Sequence, residues 1–393
     1  MIYNYIPKHW KLVKVGEYVI SVKGKKPKHI SPVKTKDCSV PYVNIKAFEK
    51  NIIDEYTDGV GCVLCDEGDF LMVWDGSRSG YVGKAIKGAL GSTLVKLNFP
   101  NIDNNYAYYF LQSKFIEINT RVKGVGIPHV DPNLLWNYQL LIPPLPEQLA
   151  IVAKIEELFR ELDKGVENLK CAQQQLKVYR QSLLKAAFEN KVFPKHLLKD
   201  VSEKIQIGPF GTQLHKEDYI ENGIPLINPM HIQDGKIVAN YSYSIKVEKK
   251  NSLPNYILKS GDVIMGRRGE MGRCGLVTQK EDGWFCGTGS LFFRPDSSKL
   301  NSVFLYYYLS SEPVKKILEE NAGGTTMANL NLKIVGLIPI CLPPVAKQIS
   351  IVQELESKLT ICDKMEESVS QSLLQAETLR QSVLKRAFEG RLV

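Results

Sequence analysis

The sequence has no apolar run long enough to cross a lipid bilayer. Hydrophobic residues make up 44% of its 393 positions, a normal share for a folded protein, but none of their runs approaches the roughly 18 residues of a membrane helix. The opening residues, MIYNYIPKHWKL, also lack the apolar segment of a secretory signal peptide. The sequence therefore predicts a cytoplasmic protein, and its length predicts two or three domains.

The eight cysteines have no spacing typical of a complete metal site. Cys62 and Cys65 form one CxxC, but no second CxxC or close histidine pair accompanies it, and eleven residues separate Cys274 from Cys286. Half of a zinc site is one interpretation of this motif. The scattered positions favour the other, which is a set of reduced, buried thiols and no metal, because disulfides are not expected without export.

The signatures of DNA-modifying enzymes are also missing. An adenine methyltransferase requires an Asn/Asp-Pro-Pro-aromatic loop, and the nearest strings, DPNL at 131–134 and NPMH at 228–231, do not match it. Gly83-Lys84 lacks the upstream glycine and the following Ser/Thr of a nucleotide-binding P-loop. We therefore expect a chain without catalytic residues.

Two further short patterns loosely resemble parts of known functional sites. Asp234 with Glu248 and Lys250 loosely resembles a nuclease constellation, but patterns this short recur by chance in a charged chain. GTGS at 287–290 lacks the spacing of a dinucleotide fingerprint and is typical of a turn. A stand-alone nuclease or methyltransferase is therefore the less favoured hypothesis.

An internal repeat is the strongest feature present. Residues 143–192 align with residues 343–392 without a gap, and 18 of the 50 positions are identical. The densest identity joins RQSLLKAAFEN at 180–190 to RQSVLKRAFEG at 380–390. An exact offset of 200 residues over this length indicates a duplication.

Each copy of the repeat predicts one long helix. Apolar residues recur in steps of three and four from Ile151 to Ala187, and nearly so from Val352 to Ala387, which is the seam of a coiled coil. Such a helix of about 43 residues would be about 65 Å long and needs a partner for its apolar stripe. The obvious partner is its own duplicate, although two helices that each pack on a local domain are an alternative.

The segments before the helices predict two globular heads rich in short strands and turns. They resemble each other more faintly: VPYVNIKAF at 40–48 resembles IPLINPMHI at 224–232, GDFLM at 68–72 resembles GDVIM at 261–265, and YYFLQS at 108–113 resembles YYYLSS at 306–311. The offset drifts from 184 to 193 to 198 along these pairs. Insertions and deletions thus fall in the heads, while the helices keep a fixed length.

This order of head, long helix, head and long helix resembles the specificity subunit of a Type I restriction–modification system. The resemblance covers nearly the whole chain and is most specific in PPLPEQ at 143–148, in the RQSLLKAAFEN ending, and in the repeat of both. HWKLVKVGEYV at 9–19 and IGPFGTQL at 207–214 resemble the starts of the two recognition domains. The second helix departs from the pattern, since PPVAKQ places Lys347 where the first has Glu147.

The resemblance implies an α+β fold of two mixed α/β target-recognition domains and two long helices. The helices would act as spacers and form an antiparallel coiled coil, within a pseudo-two-fold duplication. The first recognition domain is expected at 1–142 and the central helix at 143–192. The second recognition domain is expected at 193–342 and the C-terminal helix at 343–393.

The same resemblance implies partners and cofactors. Double-stranded DNA would be recognised at a split target, two methyltransferase subunits would bind, and restriction or translocase subunits would join for cleavage. S-adenosylmethionine, and ATP with magnesium, would bind those subunits and not this chain. A specificity subunit of a two-component enzyme, whose partner both cuts and methylates, is the alternative. Partner contacts are expected near the helix starts and ends, at Glu147, Gln148, Gln348, Arg180, Lys185, Phe188, Arg380, Lys385 and Phe388.

Positive charge is concentrated on the heads. They carry 18 Lys and Arg against 13 Asp and Glu in residues 1–142, and 18 against 15 in residues 193–342, so they hold all but one unit of the net charge of +9. Residues 1–50 hold 11 bases and 3 acids, whereas 51–70 hold six acids and no base. This segregation favours a basic face that contacts phosphates, with a solvated lysine-rich surface as the alternative.

Candidate base readers are basic, amide and hydroxyl side chains on loops near the basic face. In the first head they are Lys25, Lys26, Lys28, Asn44, Lys46, Arg78, Ser79 and Lys123. In the second head they are Gln213, His215, Lys216, Asn228, His231, Arg267, Arg268, Arg273, Thr325 and Thr326. The aromatic clusters at 106–110 and 306–308 have helical spacing, so we expect core packing there rather than base stacking.

Overall fold

The computed structural model describes residues 9–124, 126–189, 192–233, 235–270, 272–321 and 330–392. The chain divides into two compact units, Met1–Leu169 with Gln371–Val393, and Lys170–Ser370. Among the described residues, no helix combines the length and the apolar character required to span a membrane.

The α-helices of the described residues differ greatly in length. They are α1 Ile45–Lys50, α2 Asn104–Thr120, α3 Pro132–Trp136, α4 Leu145–Phe188, α5 Val247–Ser252, α6 Ser302–Leu309, α7 Glu312–Asn321, α8 Leu332–Gly336 and α9 Val345–Phe388. The prediction of two long helices is confirmed, because α4 and α9 each have 44 residues. Both lie inside the predicted helical segments, and the domain boundaries themselves stay a prediction.

The first head, residues 1–142, contains two main sheets. Its strands are β1 Lys11–Lys14, β2 Ile20–Lys23, β3 Ile30–Ser31, β4 Val40–Val43, β5 Tyr56–Thr57, β6 Leu64–Cys65, β7 Phe70–Val73, β8 Val82–Lys84, β9 Gly88–Leu90, β10 Leu94–Asn98 and β11 Gln139–Ile142. One sheet has the order β2-β10-β7-β8 and is antiparallel throughout. The other has the order β3-β5-β4-β9-β6 with β4 and β9 parallel, and β1 pairs with β11.

The second head, residues 193–342, repeats this topology. Its strands are β12 Lys195–Leu197, β13 Ser202–Ile207, β14 Tyr219–Ile220, β15 Ile224–Ile227, β16 Ile232–Gln233, β17 Lys236–Ile237, β18 Ser244–Ile245, β19 Val263–Gly266, β20 Cys274–Leu276, β21 Phe285–Cys286, β22 Ser290–Pro295 and β23 Pro339–Cys341. The sheets β13-β22-β19-β20 and β14-β18-β15-β21 correspond to those of the first head, down to the parallel pair β15–β21. They differ in two details: the isolated bridge Ile257–Phe285 stands where the first head has strand β6, and the hairpin β16–β17 is additional. The faint sequence echoes fall on equivalent elements: β4 and β15, β7 and β19, α2 and α6.

Apolar side chains from the sheets and from α2 or α6 form the core of each head. In the first head, all four residues of β7 are buried, and Tyr106 of α2 is fully buried beside them. In the second head, Val263 and Met265 of β19 and Phe304 of α6 have the corresponding places. The prediction that the aromatic clusters at 106–110 and 306–308 pack in the core is confirmed for Tyr106, Phe110 and Tyr308, which are buried.

Segments of the two long helices contact each other within each unit. In the second unit, Arg180 forms an ion pair with Asp363, while Leu184, one turn further on, packs with Leu359 and Leu355. Because residue numbers rise along one helix and fall along the other at these contacts, the two segments are antiparallel. The first unit has the equivalent ion pair, between Arg380 and Asp163, and the detailed coiled-coil packing stays a prediction.

Candidate nucleic-acid interface

Four segments of the first head lie side by side and form what we call its loop edge: residues 24–38, 74–80, 91–94, and 121–124 with 126–131. Backbone hydrogen bonds join each segment to the next. The N–H of Gly24 donates to the carbonyl of Leu94 at 3.0 Å, that of Trp74 to the carbonyl of Thr93 at 2.8 Å, and that of Gly76 to the carbonyl of Pro128 at 2.8 Å. Because a surface built from several loops can vary in side chains without changing the sheets, it is a suitable place for recognition.

The second head has a corresponding loop edge, formed by residues 208–218, 266–270 with 272–273, 287–290 and Leu330. Residues 228–231, whose counterparts in the first head are residues 44–47, lie beside it. The corresponding hydrogen bonds run from Gly208 N–H to the Ser290 carbonyl at 2.9 Å, from Arg267 N–H to Gly289 at 2.9 Å, and from Leu330 N–H to Arg267 at 3.1 Å. The interpretation of residues 287–290 as a turn is confirmed by the bond from Ser290 N–H to the Gly287 carbonyl, 3.0 Å long.

A close contact of two backbones fixes the start of the first segment in both heads. A β-carbon on Gly24 would overlap the carbonyl oxygen of Gly91, and one on Gly208 would overlap that of Gly287. Glycine is therefore required at residues 24 and 208, and the chain that follows leaves the sheet at the same place in each head.

The first head has a lysine-rich segment on its loop edge. Lys25, Lys26 and Lys28 are exposed, and so are Lys34 and Lys36, which the sequence analysis did not include. Within the described residues, none of these five side chains forms an ion pair with an acid, so their charge is available to an anion such as a DNA phosphate. Lys34 and Lys36 lie in the same basic stretch of sequence, which was the available signal.

Two other predicted bases of this loop edge already have acidic partners. The Arg78 guanidinium lies 3.2 Å from Glu49 and 4.1 Å above the Tyr81 ring. Lys123 lies 3.0 Å from Asp131, and this hydrogen bond keeps the pKa of the Asp131 carboxyl below its usual value. Both side chains are exposed, and a phosphate would have to compete with the carboxylate for either of them.

Asn44 and Lys46 have roles within the fold. The Asn44 side-chain oxygen accepts the Ala47 N–H at 2.9 Å and caps α1, and its amide group donates to Asp54 and Glu55. Lys46 lies 2.7 Å from Asp54 and lowers the pKa of that carboxyl. These two predicted base readers therefore face an acidic neighbourhood.

Three of the predicted base readers are buried, which corrects their assignment as loop side chains open to DNA. Ser79 is fully buried and its hydroxyl donates to the carbonyls of Gly76 and Pro128. The Nε of Arg267 donates to the Leu330 carbonyl at 2.8 Å, and burial lowers the pKa of this guanidinium. His231 accepts the Asn228 N–H at its Nδ1, and burial lowers its pKa. We leave these three out of the proposed interface.

The other predicted residues of the second head are on its loop edge or beside it. Gln213, His215 and Arg268 are exposed, while Arg273 and Asn228 are half-buried. Gln213 accepts a hydrogen bond from the Tyr256 hydroxyl at 2.7 Å, Arg273 pairs with Glu270 at 2.7 Å, and the Asn228 oxygen accepts the Gly289 N–H at 3.2 Å. Some of the predicted positions lie outside the described residues. They are the side chain of Lys216, the residues Thr325 and Thr326, and Asp234 of the nuclease-like pattern.

The two glutamines predicted to bind partners are buried at the helix starts. Gln148 accepts the Asp103 N–H at 2.8 Å and donates to the Pro143 carbonyl. Gln348 does the same with Asn301 and Pro343 and also donates to Lys299. These side chains join each long helix to the loop before α2 or α6, so the fold uses the groups that the prediction assigned to a partner.

Glu147 differs from its repeat partner Lys347 for a structural reason. Its carboxylate accepts the Trp10 indole N–H at 2.8 Å and lies 2.8 Å from His9, and these bonds lower its pKa. In the second copy of PKH, Leu197 follows His196 where Trp10 follows His9, so the indole donor is missing. The change from Glu to Lys accompanies the loss of that donor.

Most of the predicted partner contacts at the helix ends are also used within a unit. Phe388 packs on Tyr106 and Phe110, with ring centroids 5.1 and 5.4 Å apart, and Phe188 packs in the same way on Phe304 and Tyr308. Arg180 and Arg380 form the interhelical ion pairs. Of the predicted set in these turns, Lys185 and Lys385 remain exposed.

The prediction of buried thiols is confirmed for Cys65, Cys274, Cys286 and Cys362, whereas Cys38, Cys62 and Cys341 are half-buried and Cys171 is exposed. The Cys65 thiol donates to the carbonyls of Ile86 and Gly88, and burial raises its pKa to about 11. Burial also raises the pKa of Cys274, to about 12.

A family model described as "Type I restriction modification DNA specificity domain" matches residues 7–170 and 196–375, which is most of the chain. The chain therefore belongs to this family, and it is a specificity subunit of the Type I class. The model matches twice, once for each head with its helix, in agreement with the duplication.

Relatives of known class match along nearly the whole chain. The MjaVIII specificity subunit of Methanocaldococcus jannaschii is 26% identical, over 98% of this chain and 94% of its own length. The EcoBI specificity subunit of Escherichia coli is 24% identical, over 90% of this chain and 80% of its own length.

Solved structures share the fold. A chain from a structural study of the assembly and conformational transition of the Type I system has a TM-score of 0.75 at 19% identity, and covers 98% of this chain and 99% of its own. The HsdS subunit from Thermoanaerobacter tengcongensis has a TM-score of 0.56 at 20% identity, with 99% of both chains covered.

Proposed function

We propose that this chain recognises a split DNA target, with each head reading one half through its loop edge. The observation that carries the proposal is the duplicated edge: three corresponding segments are joined by backbone hydrogen bonds in both heads, while their side chains differ. Equivalent scaffolds with different side chains suit two half-sites of different sequence, because side chains read base edges and the scaffold sets their position.

The chain would recruit other subunits for chemistry. Two methyltransferase subunits would bind S-adenosylmethionine and methylate adenine, and restriction or translocase subunits would bind ATP and magnesium and cut. The names of its relatives, which are specificity subunits of restriction enzymes, support this division of labour. A partner that both cuts and methylates is the second candidate, and the chain itself serves either system in the same way.

Methylation of DNA tests the proposal. The purified chain, incubated with labelled methyl donor and genomic DNA, is expected to transfer no label until the methyltransferase subunit is added. Mapping the methylated adenines is then expected to show one motif with two specified parts and an unspecified gap. Transfer by the chain alone, or a continuous motif, would contradict the proposal.

Exchange of one head sharpens the test. Residues 1–142 would be replaced by a related head that keeps aromatic residues where Tyr106 and Phe110 contact Phe388. We expect one half of the methylated motif to change and the other to stay the same. A change in both halves would show that the heads do not read independently.

A further inference from the structure

Two exposed apolar side chains on the loops of the second head have charged counterparts in the first head. Gly24 with Gly208, and Asn44 with Asn228, are structural equivalents separated by 184 residues. The same offset places Phe210 opposite Lys26, and Met230 opposite Lys46. The first head thus has two ammonium groups where the second has two large apolar side chains.

Both apolar side chains project from well-supported loops. Phe210 is 66% exposed and Met230 is 52% exposed. Phe210 follows the buried residues Gly208 and Pro209, and it precedes the short 3-10 turn Gly211–Gln213. The Gln213 side chain, which accepts the Tyr256 hydroxyl, anchors that turn.

The turn at residues 287–289 connects these two loops. Gly208 packs against Gly287, and Pro229, next to Met230, packs against Gly289. Phe210 and Met230 therefore flank one turn of the second loop edge, and neither side chain contributes its apolar surface to the core of the head.

Polar and cationic groups surround the apolar pair. Arg268 is exposed and forms no ion pair within the described residues, and Arg273 lies beside Pro229, with its guanidinium 3.4 Å from that carbonyl. His215 is exposed in the same loop as Phe210. Apolar side chains on loops that also carry cationic side chains are complementary to a nucleic acid, in which flat apolar bases lie between anionic phosphates.

We infer that Phe210 and Met230 insert against the bases of the second half-site and partly unstack them, at positions where the first head has Lys26 and Lys46. This inference rests on the proposed function. Apolar wedges of this kind open a base step and kink the duplex, at a cost that depends on the sequence of that step. The second head would therefore select its half-site partly by how easily the DNA deforms.

Permanganate oxidation, which attacks thymines with exposed faces, tests the inference on the full chain with its methyltransferase subunits and a target duplex. We expect the wild-type complex to show an oxidised thymine in the second half-site. A signal shared by both half-sites would come from bases flipped by the methyltransferases and not from the wedges.

The double variant Phe210→Ala, Met230→Ala is expected to lose the second-site signal and about tenfold in affinity. Its salt dependence should not change, because no charge is removed. Phe210→Tyr, which keeps a ring, should retain the signal. Ile361→Ala, which truncates a side chain 53% exposed on α9, is the matched control and should behave as the wild type does.

Lys26→Ala provides the opposite pattern in the first head. It should lower the slope of log affinity against log salt by about one and leave the oxidation pattern unchanged. The inference is overturned if the double variant keeps both signal and affinity, or if it binds DNA normally but loses its methyltransferase subunits. If the wild-type complex shows no sequence preference at all, the proposed function fails, and this inference fails with it.

Discussion

At the residue scale, a single buried glutamine connects each long helix to its head. Gln348 is fully buried and makes hydrogen bonds of 2.8 Å to Asn301, Lys299 and Pro343. A glutamine amide has both donors and an acceptor, so one side chain satisfies backbone groups of both polarities. This explains a Gln at the same place in both copies of the repeat without any contact to a partner.

We expect Gln348→Met to lower the free energy of unfolding of the protein by about 2 kcal/mol, because it leaves buried backbone groups without partners. Methionine keeps the length and the apolar stem of the side chain, so the change isolates the hydrogen bonds. Urea unfolding followed by circular dichroism measures the effect. Gln375→Met, at an exposed position of α9, is the control, and an equal loss in both variants would contradict the role of the amide.

Sequence patterns could not separate exposed polar residues from buried ones at this scale. Arg267 and Arg268 are neighbours with the same chemistry, yet one donates to Leu330 in the interior and the other is exposed. Leu330 is 63 residues away, so no local signal indicates that bond. Asn44 did have a local signal, since an Asn directly before a short helix is typical of an N-cap.

At the element scale, the last turns of α4 and α9 pack onto helices of the heads. Phe388 is buried against Tyr106 and Phe110 of α2, while Lys385, one turn earlier, is exposed. The repeated motif therefore has a face that the fold uses and a face that is open. The prediction of partner binding can be tested on the open face alone.

Phe388→Ala should lower the free energy of unfolding by about 3 kcal/mol, because a large buried ring is lost. Lys385→Ala should change it by no more than about 0.5 kcal/mol, as is usual for an exposed substitution. The two variants are then compared for retention of the methyltransferase subunit on a column. Reduced retention with Lys385→Ala, at unchanged stability, would support a partner contact there; normal retention would remove Lys385 from the predicted set.

The long helices were predictable from sequence because their signals are local and repeated. The period of three and four residues and the 200-residue offset needed no knowledge of distant contacts. The sheets were different: the parallel pairing of β4 with β9 joins Tyr42 to Ala89, and strands of two to six residues do not encode such distant partners. The four-segment loop edge depends on those pairings, so sequence identified some of its lysines but not the surface itself.

At the scale of the whole molecule, each unit contains two distant parts of the chain. Residues 371–393 belong to the same unit as residues 1–169, and Phe388 contacts α2 there. The boundary between the units crosses α4 after Leu169 and α9 after Ser370. The helices therefore link the units at two places, and these places can be altered without changing any contact inside a unit.

Insertion of four residues after Leu169 and four after Ser370 tests whether the helices set the gap between half-sites. Each insertion lengthens its helix by about 6 Å and just over one turn, and the ion pairs of Arg180 and Arg380 keep their partners. Since one base pair rises about 3.4 Å, we expect tight binding to shift to targets with a gap longer by one or two base pairs. Competition among duplexes that differ only in gap length measures this.

Four residues inserted after the exposed Gly61 of the first head, outside the helices, should leave the preferred gap as it is in the wild type. An unchanged gap in the helix variant, with binding intact, would show that the helices do not set the spacing.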